Sequence, residues 1–172
     1  MKFLTVINEN DIKKAIQFGA QKHKGQVRKF DGKPYFGHPT RVAETIKKIT
    51  KDKDVIIAAY LHDTVEDTET TVEELVKTFN KRVAALVKEL TTVMGPADNK
   101  AEYLLKKMNS MSKEALLIKL ADRLDNVSDF PTAPEKFVKK YSKETHYILD
   151  NLKTNLDGKH KKLINMIKEK LI

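Results

Sequence analysis

The chain has no cysteine, which excludes disulfides, thiolate metal sites and cysteine nucleophiles together. Any metal must then be held by nitrogen and oxygen ligands, so the five histidines are the residues to follow. Glycine and proline are few, 6 and 5 in 172 residues, against 40% hydrophobic and 33% charged residues. That balance excludes a disordered chain and fits one mostly helical domain spanning 1–172. A GxxxxGKS/T loop, GxGxxG, GxSxG and HExxH are all missing, which removes several common enzyme chemistries. Long apolar runs are missing too. Met1-Lys2-Phe3-Leu4 is followed by Asn8-Glu9-Asn10-Asp11, leaving no signal-peptide core and no span, so a cytoplasmic protein without a membrane partner is expected. Aromatics are 7% and are not interleaved with basic residues, which argues against a nucleic-acid partner. The formal charge of +9 then reads as solubilising surface or as the footprint of another anionic partner. No motif speaks to oligomeric state.

What the chain does have is helical periodicity. Asn10 or Asp11 can cap a first helix with Ile12, Ala15, Ile16 and Gly19 on one face, running towards His23 and stopping at Gly25. Val27 to Gly37 breaks the pattern, and the Asp31-Gly32 turn signal makes residues 27–37 a short loop or small hairpin. Pro39 reads as the first position of a helix with Val42, Ile46 and Ile49 inward, which leaves His38 at its mouth. Asp52 or Asp54 starts a central helix expected to end near Asp67 to Thr70, and Thr71 to Glu74 is a capping-box pattern opening the next. Met94 to Asn99 is a break. Ser112 caps SKEALLIKLADRLDNV, where Lys119, Asp122, Arg123 and Asn126 fall at i, i+3, i+4 and i+7 and make one polar stripe opposite a broad apolar face. Helices over residues 135–152 and a lysine-rich last helix complete an all-α bundle with no internal repeat.

The informative stretch is Ala58 to Asp67, AAYLHDTVED, where an apolar run leads into His62, Asp63, Glu66 and Asp67. On one continuous helix His62 would lie over Glu66 and Asp63 over Asp67. Unpartnered carboxylates in a core cost several kcal/mol each, of order, so pairing, protonation or a cation must offset them. Imidazole with carboxylate suits Mn, Fe or Zn. A second reading stands beside it, in which His62 and Asp63 mark a helix end and face water.

Three segments carry a resemblance: HKGQVRKFDGKPYFGHPTRVA from His23 to Ala43, AAYLHDTVEDTETT from Ala58 to Thr71, and IKLADRLDNV from Ile118 to Val127. In this order and spacing they closely resemble the hydrolase domain of the RelA/SpoT family, part of the HD superfamily of metal-dependent phosphohydrolases. The resemblance implies an HD-type helical bundle. With the chain ending at Ile172, a stand-alone small alarmone hydrolase without a synthetase domain is expected.

By the same resemblance His38, His62, Asp63 and Asp122 would hold one metal ion, usually Mn²⁺ in this family, with Fe or Zn as other candidates. Glu66 and Asp67 match the catalytic Glu-Asp pair, Arg28 and Lys29 match the pair that contacts the guanine nucleotide, and Asn126 matches the asparagine that binds the nucleoside. Lys119 and Arg123, on the same stripe, would contact phosphate. The implied reaction is Mn-dependent hydrolysis of guanosine 3′-diphosphate 5′-(di/tri)phosphate, (p)ppGpp, to GDP or GTP and pyrophosphate, which ends the stringent-response signal. The alternatives are an HD phosphohydrolase on another phosphorylated nucleotide such as NADPH, or a catalytically silent nucleotide sensor. Two departures from the long bifunctional enzymes stand out. Four residues rather than three separate Arg28-Lys29 from Pro34-Tyr35, and Asp125 stands where those enzymes carry histidine. Both are expected to line the base pocket, and neither is expected to touch the metal set.

Overall fold

The computed structural model describes residues 9–95, 99–154 and 156–172. Readings that involve Met1 to Asn8, or residues 96–98 of the break after Met94, lie outside them. Helix α1 (Glu9–Lys22) turns Ala15 and Gly19 into the core and is followed by Gly25 at φ 84°, a left-handed conformation that a residue without Cβ adopts at little cost. The next segment is the expected hairpin in its smallest form. Val27 and Pro34 make one isolated antiparallel bridge, Arg28 N–H donates to the Lys33 carbonyl at 2.7 Å, and Tyr35 N–H donates to the Gln26 carbonyl at 2.9 Å. Pro34 has no N–H with which to extend that ladder.

Helix α2 (Gly37–Lys47) starts two residues before the position predicted from Pro39. His38 therefore lies inside the first turn, and the proline is harmless there because first-turn N–H groups have no intrahelical partner. Helix α3 (Lys53–Leu61) is capped by Asp52, whose carboxylate accepts from the N–H groups of Asp54 and Val55 and also binds Arg82 at 2.7 Å through each oxygen. Every residue from Val55 to Leu61 is buried. An all-round apolar helix must be covered on every side, and α3 is enclosed by α1, α2, α6 (Lys81–Leu90) and α8 (Lys113–Ser128).

The central helix is not continuous as expected. It ends at Leu61, His62 and Asp63 form a turn, and a single helical turn α4 (Thr64–Asp67) follows. Side chains take the carbonyls that the ladder would otherwise use. His62 Nδ1 donates to the Ala59 carbonyl at 2.8 Å and Thr64 Oγ1 to the Leu61 carbonyl at 2.7 Å. Helix α5 (Val72–Thr78) opens on Thr71, whose hydroxyl accepts from Glu74 N–H. The expected box is half built, because the Glu74 carboxylate pairs with Lys22 at 2.8 Å instead. Helix α7 (Lys100–Ser110) leads to α8, which is capped by Ser112. A 3-10 turn (Phe130–Thr132), α9 (Glu135–Asn151) and α10 (Gly158–Lys168) close the described chain. Among the described residues no helix is long and apolar enough to cross a membrane.

Gly19 is the tightest point between α1 and the hairpin's exit. A Cβ there would sit 2.3 Å from Cε2 of Phe36, whose ring is held between His23 and Tyr60. Alanine gains about 1 kcal/mol of helix propensity over glycine, whereas overpacking costs about 1–3 kcal/mol. The clash wins. Gly19→Ala is expected to lower unfolding free energy by about 1 kcal/mol, read as a lower urea midpoint; a raised midpoint would mean that Phe36 moves freely.

Candidate active site

Four side chains from three places in the chain meet where α2, α8 and the α3/α4 break come together. His38 Nε2 lies 3.1 Å from Asp122 Oδ1 and 3.6 Å from Asp63 Oδ2. His62 Nε2 lies 3.1 Å from Asp63 Oδ2 and 3.9 Å from Asp122 Oδ1. Both imidazoles are turned by their far nitrogens. His62 Nδ1 donates to the Ala59 carbonyl, and His38 Nδ1 donates to Asp125 Oδ2 at 2.6 Å. In the neutral imidazole this leaves both Nε2 lone pairs facing the carboxylates. Buried His62 Nε2 has no hydrogen-bond partner among the described residues. A buried acceptor without a donor beside two carboxylates is an environment a cation satisfies, and ligand atoms of His38, His62 and Asp122 already lie within 4.8 Å of one another. Two nitrogens and two carboxylate oxygens therefore fit a divalent metal. Asp63 joins this set from the turn that ends α3, with its carbonyl still accepting from Asp67 N–H at 2.9 Å.

Charge is distributed to match. Burial raises the Asp63 carboxyl, but His62 and His38 together hold it well below the ordinary carboxylate value. Asp122 is likewise raised by burial and lowered further by Lys119 and the two histidines. Lys119 donates to Asp122 Oδ2 at 2.8 Å, and Asn126 Nδ2 donates to Asp122 Oδ1 at 2.9 Å. Burial pulls His38 down, yet its hydrogen bonds to Asp122 and Asp125 raise it to about 9.

Glu66 and Asp67 lie beside this group and line an open cleft of ≈ 710 Å³ with Gln21, Lys22, Gln26, Thr68 and Glu69. Burial raises both carboxyls above their ordinary values, and Asp63 adds to the rise. Glu66 Oε2 accepts from Thr92 N–H at 2.8 Å. Such a pair, held at its bases and open to a cleft, can accept protons. Arg28 comes over from the hairpin, its guanidinium 5.9 Å from the Tyr35 ring centre, and bonds Asn126 Oδ1 at 3.3 Å as well as Asp129.

Two predicted contacts are not brought to the group. Lys29 is exposed, with its ammonium 5.8 Å over the Phe30 ring, and no hydrogen bond or ion pair joins it to the site among the described residues. Arg123 is 3% exposed and turned towards α9, donating to Thr145 Oγ1 at 2.7 Å and Glu144 Oε1 at 3.2 Å over the Tyr141 ring. The polar stripe was centred wrongly. At about 100° per residue, a face centred on Asp122 has Lys119, Asp125 and Asn126 within about 60° and Arg123 about 100° away.

On that face Asp125, expected to stay clear of the metal-holding candidates, bonds one of them, His38. Sequence reasoning also passed over Tyr35, whose hydroxyl donates to Asp63 Oδ2 at 2.7 Å and lies 3.2 Å from Asp67 Oδ2. Gln26 was missed as well. It bonds buried His23 Nδ1 at 2.8 Å and donates to the Asp67 carbonyl at 2.9 Å, tying the end of α1 to α4. Tyr35 stands three residues before His38, a candidate ligand, in the turn that leads into α2, and that nearness was the available signal.

The sequence pattern of the HD domain matches residues 15–158, and the chain belongs to the HD-domain family. A guanosine-3′,5′-bis(diphosphate) 3′-pyrophosphohydrolase of Aquifex aeolicus is 40% identical over 141 residues, 78% of this chain and 20% of that one. The protein of the same catalytic name in Danio rerio is 41% identical over 119 residues, 66% of each chain. Among solved structures, a metazoan orthologue of SpoT that hydrolyses ppGpp superposes at TM-score 0.82 with 27% identity, covering 99% of this chain and 96% of that one. A Listeria monocytogenes protein at TM-score 0.64 and 23% identity shares the fold. The chain thus spans about a fifth of the long bacterial relatives and nearly the whole of the solved metazoan orthologue.

Without metal, the folded protein binds the His38 proton up to about pH 9, against an ordinary value of 6.5. Its stabilisation is complete below pH 6.5 and is lost as pH rises through about 9. Melting midpoints in EDTA should fall across that window. With excess divalent metal, which needs the unprotonated imidazole, they should hold or rise. Parallel profiles with and without metal would exclude the exchange of proton for metal at this site.

Proposed function

We propose that residues 1–172 act as one HD-type phosphohydrolase domain that carries out Mn²⁺-dependent hydrolysis of (p)ppGpp to GDP or GTP and pyrophosphate. The observation that carries this reading is the convergence of His38 Nε2, His62 Nε2, Asp63 Oδ2 and Asp122 Oδ1, with each imidazole's other nitrogen already bonded elsewhere. The two relatives named as 3′-pyrophosphohydrolases and the metazoan orthologue support the substrate class. Arg28 against the Tyr35 ring, with Asn126 beside it, supports a planar, hydrogen-bonding base over a bare phosphate ester.

In this reading His38, His62, Asp63 and Asp122 hold the ion, which when bound supplies a Lewis acid for the phosphate oxygens and a more acidic water. Glu66 and Asp67 take the proton of the attacking water and orient it towards the 3′ phosphorus. Burial suits them to the task, since it raises their affinity for that proton. The bond from water oxygen to phosphorus forms and the bond from phosphorus to the 3′ oxygen breaks; the 3′ oxygen takes up a proton, from the carboxyl that accepted the water's or from solvent, and leaves as the nucleoside 3′ hydroxyl, while pyrophosphate carries the water oxygen away. Tyr35, donating to Asp63 and lying near Asp67, keeps the two carboxylates in fixed register. Its own hydroxyl remains a donor, because burial and the surrounding carboxylates raise it.

The test is metal-stripped protein with Mn²⁺ added back and ppGpp as substrate, following GDP and pyrophosphate. Release of both products is expected, with Glu66→Gln slower by about 10²-fold or more at unchanged Mn²⁺ content, and His62→Ala losing the metal. Phosphate release from NADPH without turnover of ppGpp would move the assignment to another phosphorylated nucleotide. Bound nucleotide with no turnover of either would make the protein a sensor.

A further inference from the structure

Asp125 fixes His38 from behind, and it is itself fixed. Its Oδ2 accepts from His38 Nδ1 at 2.6 Å, while Arg41 holds the same carboxylate with Nε at 2.7 Å from Oδ1 and Nη2 at 3.0 Å from Oδ2. His38 and Arg41 are three residues apart on α2, and Asp122 and Asp125 are three apart on α8. One turn of each packed helix thus supplies both a metal-facing group and the support behind it. The carboxylate is largely shielded, its side chain 10% exposed, whereas that of Arg41 is 49% exposed and open to solvent. The other imidazole has the weaker arrangement, since His62 Nδ1 rests on a neutral backbone carbonyl. A carboxylate behind a ligating histidine fixes its tautomer and increases its basicity.

We propose that Asp125 is a positioning residue for His38, holding its Nδ1 hydrogen and aiming Nε2 into the metal centre, with Arg41 bracing the carboxylate. The inference rests on the metal reading of the site. A plain cross-helix ion pair between Arg41 and Asp125 is the competing account, and it makes different predictions. If the pair only ties α2 to α8, losing Arg41 and losing Asp125 should do equal harm. If Asp125 acts through His38, the two substitutions separate, because without Arg41 the carboxylate still accepts from the imidazole.

The experiment is Mn²⁺ titration of the chelator-stripped full chain, following free Mn²⁺ by electron paramagnetic resonance. Asp125→Ala is expected to weaken Mn²⁺ binding by about 10- to 100-fold and Arg41→Ala by less than about fivefold. In a His38→Ala background, Asp125→Ala should add no further loss. Should Asp125→Ala fail to fold by circular dichroism, Asp125→Asn keeps an acceptor oxygen, loses the charge and is expected to bind more weakly than wild type. Wild-type affinity in the Asp125 variant that folds, or an undiminished effect without His38, would overturn the proposal. A wild-type chain that takes up no Mn²⁺ would overturn the metal reading itself, and this inference with it.

Discussion

Two imidazoles and two carboxylates are packed into a helical core, and the rest of the site follows from the hydrogen bonds that tie each of them down. His62 is fixed by the Ala59 carbonyl, His38 by Asp125, Asp63 by Tyr35, and Asp122 by Lys119 and Asn126. The ties on the imidazoles hold the far nitrogen and leave Nε2 pointing inward, whereas Tyr35 and Asn126 bond the very oxygens, Asp63 Oδ2 and Asp122 Oδ1, that face the histidines. Burial alone would drive these groups to their neutral forms. The ties and the mutual attraction keep both carboxylates ionised instead. The core therefore has charge and unfilled donor atoms where most cores have only methyl groups. Helix α3, apolar on every side, is the rigid element that makes such an arrangement tolerable.

That dependence explains why the α3/α4 break matters more than its short length indicates. A continuous helix would have set His62 and Asp63 on separate columns of its surface. The turn, stabilised by His62 and Thr64 bonding to carbonyls of the helix they leave, brings both side chains against His38 and Asp122. Glu66 and Asp67 are then carried one turn further, out to the cleft. Under the proposed reading, the same local chemistry that ends the helix separates the ion-holding groups from the proton-accepting ones.

Much of this was legible in the residues. Caps at Asp52, Ser112 and Thr71 could be read directly, because a side chain that accepts from nearby N–H groups leaves a local signature. The metal-holding candidates were legible as motifs. The break was not, since neither glycine nor proline marks it and Asp63 leaves the helical range by only a small backbone rotation (φ −97°, ψ −4°). Arg123 was misread for a different reason. Polarity identifies the stripe on α8, but which edge of that stripe faces a cleft depends on where α9 packs. Glu144, Thr145 and Tyr141 claim that edge. Asp125 was singled out as a departure and placed in the base pocket, but its contact with His38 was not legible, because only the packing of α2 against α8 brings the two together.

The residues that meet at the centre are far apart along the chain: His38 in α2, His62 and Asp63 at the α3/α4 break, and Asp122 in α8. During synthesis at about 5–20 residues per second, the first three emerge well before the fourth. A complete coordination sphere can exist only after α8 has left the ribosome and packed against α2. Under the proposed reading, metal acquisition is a late event in the maturation of each molecule.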